Sequence, residues 1–151
     1  AYCYNQVIAS NPQGYKEQLE NFEASMNLIK QLLNKNFTLL VKLPIVNNSI
    51  TKDLIEKNNE LISKTIVLPN AITLFDSLKL SDLVFITYPQ TTYAISIYSN
   101  KNTILAYPKK LWPLNPVHYE YIKKLFSLGL VIDTSRDSNF NIKTFKCICS
   151  C

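Results

Sequence analysis

The chain has 151 residues, of which 47% are hydrophobic and 18% are charged. This composition predicts one globular domain with a substantial core and argues against disorder. The formal net charge of +5 favours anionic partners, but the lysines are scattered and form no nucleic-acid-binding arm. The only two glycines are Gly14 and Gly129, which excludes the glycine-rich phosphate loops of dinucleotide-binding and Walker-type sites.

The cysteines indicate a reducing environment. Three of the four crowd the end of the chain, at Cys147, Cys149 and Cys151, with neither the spread of a disulfide framework nor the C-x-x-C spacing of zinc sites. We find no signal-peptide pattern and no run of the ~18 apolar residues that a membrane span needs. The cysteine pattern fits a reducing cytoplasm best. The chain starts at Ala1 directly in strand-like sequence, so we expect it to be a piece of a longer protein.

The first half of the chain predicts three strands and two helices. Residues 1–9, 37–44 and 65–69 are short, mostly apolar runs typical of strands. A long amphipathic helix lies between the first two, and a polar helix over residues 51–62 precedes the third. The apolar stripe of the long helix comprises Leu19, Phe22, Met26, Ile29 and Leu33. Its expected boundaries are a cap at Ser10 or Asn11, Pro12 in the first turn, and Asn34 to Asn36 at the end. The polar helix is expected to be capped by Ser49 or Thr51.

The second half continues the alternation. Residues 73–81 allow two helical turns, 90–100 allow a helix, and 115–130 predict a helix that ends at Gly129. The intervening runs at 82–89, 102–108 and 131–134 predict strands. Because these strands are apolar throughout, we expect a mostly parallel sheet buried on both faces by helices. The prediction is a Rossmann-like three-layer α/β sandwich over residues 1–134, followed by an irregular tail at 135–151.

The turn between the most apolar strand and its helix is polar. Gln90, Thr91 and Thr92 follow Pro89, at the carboxyl end of residues 82–89. In parallel α/β sheets this edge binds ligands, and the free N–H groups of a helix start attract anions. Hydroxyl and amide side chains there can hold a phosphate without a glycine loop. Plain helix capping explains the same residues, so both interpretations stay open.

The chain resembles the C-terminal, nucleotide-sugar-binding half of GT-B type glycosyltransferases. It is similar in particular to a family of bacterial transferases associated with surface-carbohydrate and lipopolysaccharide synthesis. The matching stretches are LFDSLKLSDLVFITYPQTT (74–92), NKNTILAYPKKLW (100–112) and HYEYIKKLFSLGLVID (118–133), with YKEQLENFEASMNLIKQLLNKNFTLLVKLP (15–44) upstream. They cover most of the chain.

The resemblance implies a function and a site. The reaction would move a sugar from a nucleotide-sugar donor to a surface-glycan or lipid-linked acceptor, with the acceptor domain missing from this chain. Gln90, Thr91 and Thr92 would face the donor phosphates, and Lys42, at the end of the second strand, would stabilise charge on the diphosphate leaving group. Such enzymes generally need no bound metal. A lipid-linked acceptor implies peripheral contact of the protein with the inner face of the membrane. Because this chain would form only half of the active-site cleft, it should have little activity alone.

Two positions depart from the family. Ile95 stands where the family has a glutamate that often touches the nucleotide ribose, and Asn102 replaces a proline before the next strand. An isoleucine supplies no acceptor for a ribose hydroxyl. This keeps a second hypothesis open, namely a non-catalytic α/β interaction module or a degenerate transferase domain.

Other polar residues allow weaker hypotheses. Asp76 and Asp82 flank the short helix before the key strand, and we expect both at the surface. His118 is the only histidine, which excludes a histidine-based metal site, and we assign no catalytic residue. Trp112, with Lys109 and Lys110, could stack on a sugar or base and meet an anion, or simply cover the core edge. A nucleotide-sugar epimerase would need a histidine and several carboxylates in the cleft, and nucleic-acid binding would need a concentrated basic patch. We find neither pattern.

Overall fold

Six strands form one parallel sheet in the computed structural model, which describes residues 2–6, 15–43, 49–89, 91–111 and 116–135. The strands are β1 (Tyr2–Gln6), β2 (Thr38–Lys42), β3 (Ile66–Val67), β4 (Leu83–Ile86), β5 (Asn102–Tyr107) and β6 (Val131–Asp133). Their order across the sheet is β3-β2-β1-β4-β5-β6, and every pairing is parallel. This is the order of doubly wound nucleotide-binding folds.

Helices connect the strands. They are α1 (Tyr15–Leu33), α2 (Ser49–Lys57), α3 (Asn59–Ile62), α4 (Leu74–Lys79), α5 (Thr91–Tyr98) and α6 (Tyr119–Ser127), with a short 3-10 helix at Pro116–His118. The predicted Rossmann-like α/β sandwich is therefore confirmed, together with all six predicted strands. The proposed caps of α1 at residues 10–12 and the tail from 136 lie outside the described residues.

The core occupies both faces of the sheet, as the non-alternating strand sequences predict. All four residues of β4 are fully buried. Leu83 and Phe85 pack in a cluster with residues of α1, α2 and α3, whereas Val84 and Ile86 pack in a second cluster with residues of α4, α5 and α6. Burial of each such side chain stabilises the fold by about 1.5–3 kcal/mol. The first three helices therefore cover one face and the last three cover the other.

Three helices end in the same hydrogen-bonded motif, although the chain has little glycine. After α6, Gly129 has φ 71°, its N–H donates to Phe126 O at 3.1 Å, and Leu130 N–H donates to Leu125 O at 3.0 Å. This is a Schellman motif, and it confirms the predicted role of Gly129. Asn36 after α1 and Asn100 after α5 adopt φ 60° and 55° with the equivalent bonds. Asparagine tolerates this left-handed conformation better than other non-glycine residues.

The polar second helix differs from the prediction. It begins at Ser49, so neither Ser49 nor Thr51 precedes it as a cap, and it is divided into α2 and α3 at Asn58. The Asn58 side chain donates to Leu54 O at 2.8 Å, and its backbone has φ −106° and ψ 15°. Asparagine forms such local bonds to the backbone and thereby interrupts helices.

Candidate functional site

The candidate site lies at the carboxyl edge of the sheet, where β1 and β4 are neighbours. The connection after β1 leads to α1 on one face, and the connection after β4 leads to α5 on the opposite face. A crevice opens at such a switch point, and ligands of doubly wound folds bind there. The register pairs Gln6 with both Lys42 and Ile86, so these three residues lie in one row across β2, β1 and β4.

The predicted polar turn leads into α5 at this switch point. Helix α5 begins at Thr91, which is exposed, whereas Thr92 is only 8% exposed. We find no hydrogen bond from either hydroxyl within the described part of the chain. The first backbone N–H groups of α5 also lack helical acceptors, as at any helix start. Gln90 lies outside the described residues. Two of the three predicted turn residues are therefore placed together, at the edge where doubly wound folds generally bind ligands.

The turn before α5 is firmly packed. Thr87 and Tyr88 follow β4 directly, and each is 1% exposed. Burial raises the pKa of the Tyr88 hydroxyl, so this group stays neutral at physiological pH. A buried turn fixes the direction in which the chain enters α5. The N–H groups of that helix start are thus held in place before any ligand arrives.

Lys42 ends β2 and lies on the same edge, but its ammonium group is engaged. Its Nζ donates to Ile72 O at 2.5 Å and lies 3.5 Å from Pro69 O. These carbonyl groups belong to the connection between β3 and α4. Lys42 is separated from β4 by one strand, which places its Cα about 10 Å from that of Ile86. An ammonium group has three donors, so one remains for an anion after both contacts are counted.

Position 95 of α5, where a glutamate could contact a ribose, packs into the core instead. Ile95 is partly buried against the cluster formed by β4, β5 and the last three helices. Helix α5 contains no charged side chain at all. Asn102, the other residue that differs from the pattern of the resembling transferases, is exposed at the start of β5. This places it at the edge of the sheet opposite to Thr91 and Thr92. Neither position supplies a carboxylate near Thr91 and Thr92.

Asp76, Asp82 and His118 lie at the surface. Thr73 caps α4 by accepting from Asp76 N–H at 3.2 Å, and its hydroxyl donates to the Asp76 carboxylate at 2.7 Å. This bond and the neighbouring Lys79 hold the pKa of Asp76 below its usual value. Asp82 is exposed beside the amino end of β4, and His118 is exposed at the start of α6. The surface prediction for both aspartates is confirmed.

The basic loop after β5 divides into two different environments. Lys110 forms an ion pair with Glu20 of α1, with 2.8 Å between Nζ and Oε2. The Lys109 ammonium instead lies 6.0 Å from the centre of the Tyr119 ring and 5.5 Å from that of Phe126. Trp112 lies outside the described residues, as do Cys147, Cys149 and Cys151. Among the residues that the structure describes, no cluster of His, Cys, Asp or Glu side chains could hold a metal ion.

Two residues at this edge were not singled out from the sequence. Gln6 ends β1 and lies beside β4 at the switch point. Asp133 ends β6, where one carboxylate oxygen accepts from Lys109 N–H at 3.1 Å, from Ser135 N–H at 3.0 Å and from the Ser135 hydroxyl. Both could have been identified as the last polar residue of a strand in a parallel sheet. The position of Gln6 beside β4 could not have been predicted, because it depends on the strand order.

The comparisons with known proteins identify no relative. No family model matches the chain, and no curated protein and no solved structure is significantly similar to it. No helix among the described residues is both long and apolar enough to cross a membrane. The glycosyltransferase resemblance therefore stays a prediction, and the function must be argued from the geometry of the fold.

Proposed function

We propose that this domain binds the diphosphate of a nucleotide-sugar at the carboxyl edge of its sheet, as the donor-binding half of a GT-B type glycosyltransferase. The proposed reaction moves the sugar to a surface-glycan or lipid-linked acceptor held by a second domain. The proposed setting is the cytoplasm, at the inner face of the membrane.

One observation carries the proposal. The start of α5, with Thr91 and Thr92, lies at the switch point between β1 and β4. The N-terminus of a helix carries a partial positive charge and unpaired N–H donors, both of which favour phosphate. The Thr92 side chain is nine-tenths buried there without a hydrogen-bond partner among the described residues. A hydroxyl held at that position can donate to a phosphate oxygen.

The same geometry supports the chemistry of sugar transfer. When the bond between the sugar and the phosphate oxygen breaks, negative charge develops on the nucleoside diphosphate. Donors held in place before the reaction stabilise this charge without having to reorganise. The α5 N–H groups and the two threonine hydroxyls would act directly, and the third donor of Lys42 would act from the β2 side. The attacking hydroxyl and its base would come from the acceptor domain.

The proposal is tested by nucleotide binding to matched threonine variants. Ligand at about 100 times Kd raises the free energy of unfolding by about 2.7 kcal/mol. For a domain of this size, that increase raises the Tm by roughly 5–10 °C. We expect this shift with at least one of UDP, GDP, CDP and ADP. Thr92→Val should abolish it, because valine keeps the shape of the side chain and removes the donor.

Thr103 provides the matched control. It is also 8% exposed, but its hydroxyl lies 2.6 Å from that of Ser96, near the opposite edge of the sheet. Thr103→Val should lower the Tm of the free protein and preserve the nucleotide shift. Binding that Thr92→Val and Thr91→Val leave unchanged, or no binding of any nucleoside diphosphate, would contradict the proposal.

A second candidate function is a non-catalytic interaction module or a degenerate transferase domain. The specific observation in its favour is that Ile95 packs into the core and α5 carries no charge. A module of this kind would ignore nucleotides and would co-purify with a protein partner. The nucleotide titration above therefore separates the two candidates.

A further inference from the structure

Helix α5 has an unusual distribution of side chains between its inner and outer sides. It buries two small hydroxyl residues, Thr92 and Ser96, whereas Ile97 is 51% exposed and Tyr98 is 95% exposed. A surface helix of a globular protein usually does the reverse, with apolar side chains inward and polar ones outward. The Ser96 hydroxyl lies 2.6 Å from that of Thr103, which satisfies both groups inside the fold. Two large side chains of α5 are therefore left in contact with water.

The outward side of α5 is apolar and uncharged. Ala94, Ile97 and Tyr98 are all exposed and lie three and four residues apart, so they share one side of the helix. No charged residue occurs anywhere in α5. By contrast, the described side chains of α1, α2 and α3 include no large apolar one that is exposed. A helix that is apolar on both sides is typical of a position that is covered on both sides.

The apolar surface continues from α5 onto α6. Tyr93 of α5 and Phe126 of α6 pack in the same cluster, so the two helices are neighbours. Burial raises the pKa of Tyr93, and the nearby Tyr121 hydroxyl raises it further, which places Tyr121 beside α5. Tyr121 is 66% exposed. The α5 patch comprises Ala94, Ile97, Tyr98 and Tyr121.

The charge of the α5 patch indicates what covers it. The chain carries a net charge of +5, so its surface as a whole attracts anionic partners and repels a second copy. The α5 patch contains no charged residue and offers no ion pair to an anionic surface. Across a twofold axis every charge would meet its own copy, and an uncharged apolar face avoids this repulsion. The α5 patch is therefore complementary to itself.

The size of the α5 patch fits a weak dimer. A tyrosine side chain contributes about 150–250 Å² when it is fully covered. With the exposed parts of the other members, the patch provides roughly 450 Å² per copy, or about 900 Å² in a dimer. Interfaces of this size lie below the standard range and form transient complexes. We propose that two copies of this chain associate through the α5 patch as a weak, symmetric dimer.

The dimer is compatible with the proposed phosphate site and does not depend on it. Thr92 lies in the first turn of α5, whereas Ile97 and Tyr98 lie in the last. Because a helix rises 1.5 Å per residue, Thr92 and Tyr98 are separated by about 9 Å along the axis. The start of α5 thus stays open when its end is covered.

The test is sedimentation velocity over a concentration series from about 1 to about 300 µM, chosen to span the expected Kd. We expect the apparent mass of the wild type to rise from that of one chain towards that of two, with a Kd of about 10–100 µM. Ile97→Lys places a charge against its own copy and should raise the Kd at least about tenfold. Tyr98→Lys should do the same, and because Tyr98 is 95% exposed this second variant does not disturb the core.

Ile66→Lys is the matched control. Ile66 is also 51% exposed, but it lies in the edge strand β3, three strands away from β4. This variant adds the same charge and should dimerise like the wild type. Thermal unfolding at the lowest concentration, where the dimer is dissociated, checks that each variant keeps its fold.

Three results would overturn the inference. The first is a wild type that stays monomeric at about 300 µM, well above the expected Kd. The second is a dimer that both Ile97→Lys and Tyr98→Lys leave intact, since it would use another face. The third is a monomeric wild type that sediments with phosphatidylglycerol vesicles and loses this binding in Ile97→Lys, which would assign the α5 patch to a lipid surface. None of these results involves nucleotide, so the proposed function is tested separately.

Discussion

Replacement of Lys42 by methionine should reveal two separable effects, one on stability and one on binding. The ammonium joins the end of β2 to the connection between β3 and α4, through a 2.5 Å bond to Ile72 O. A hydrogen bond from a charged group contributes about 1.5–3 kcal/mol when it is well shielded from water. Lys42 is only part-buried, so we expect Lys42→Met to lower the free energy of unfolding by about 1–2 kcal/mol. The contact to Pro69 O at 3.5 Å adds little at that length.

The assay is thermal and urea unfolding followed by nucleotide titration of the same sample. The expected loss of stability lowers the Tm by roughly 2–8 °C for a domain of this size. Lys101→Met is the matched control, because its Nζ donates to Ser81 O at 3.1 Å and is also part-buried. Lys101 precedes β5, at the opposite edge of the sheet, so this variant should lose stability without any change in nucleotide affinity.

The outcomes separate the two roles of Lys42. Lower stability together with weaker diphosphate binding supports both the structural hydrogen bond from Lys42 to Ile72 O and the proposed contact of Lys42 with the diphosphate. Lower stability with unchanged affinity would show that Lys42 is purely structural, and its place in the ligand site would have to be withdrawn. An unchanged Tm would refute the reasoning from the hydrogen bond itself.

Two further predictions concern the helix ends. Thr73→Ala removes the cap of α4 and should cost about 1 kcal/mol at neutral pH. Because the folded pKa of Asp76 is lowered, chiefly by its bond with Thr73, the stabilisation is present above the unfolded pKa and is lost as the pH falls through the folded value. The difference in Tm between wild type and variant should therefore shrink as the pH is lowered through the acid range in which Asp76 is protonated, and a constant difference would contradict this account. Gly129→Ala should cost about 1–2 kcal/mol in urea unfolding, because alanine is strained at φ 71°. Asn100→Gly should stay within about 0.5 kcal/mol of the wild type, since both residues accept the left-handed conformation; a large loss would show that the Asn100 side chain has another role.

The sequence predicted the elements of the fold because each strand is a short apolar run between clear stops. Pro89 and the threonines after it mark the end of β4 and the start of α5, and Gly129 marks the end of α6. The interruption between α2 and α3 at Asn58 was not predicted. The apolar residues from Leu54 to Ile62 keep a helical spacing across it, so the sequence pattern shows one continuous helix. Local patterns of hydrophobicity therefore located the elements better than their internal interruptions.

The site was only partly predictable, because it depends on which strands are neighbours. The polar turn before α5 was predicted from local sequence alone. That it lies beside β1, and that Gln6 shares a row with Lys42, follows from the strand order. The difference between Lys109 and Lys110 depends on Glu20, a residue of the first helix. No pattern around residue 110 contains that information.

The pairing of β1 with β4 has a consequence for how the protein folds. Cys3 is paired with Leu83, about eighty residues later along the chain, and this pair forms the middle of the sheet. Contacts between such distant segments require closure of a large loop, and proteins dominated by them fold slowly. The first strand is synthesised about eighty residues before the fourth and cannot complete its pairing until the fourth is made. The edge of the sheet between them is therefore a late product of folding, and partly folded chains should have the helices without the proposed nucleotide binding.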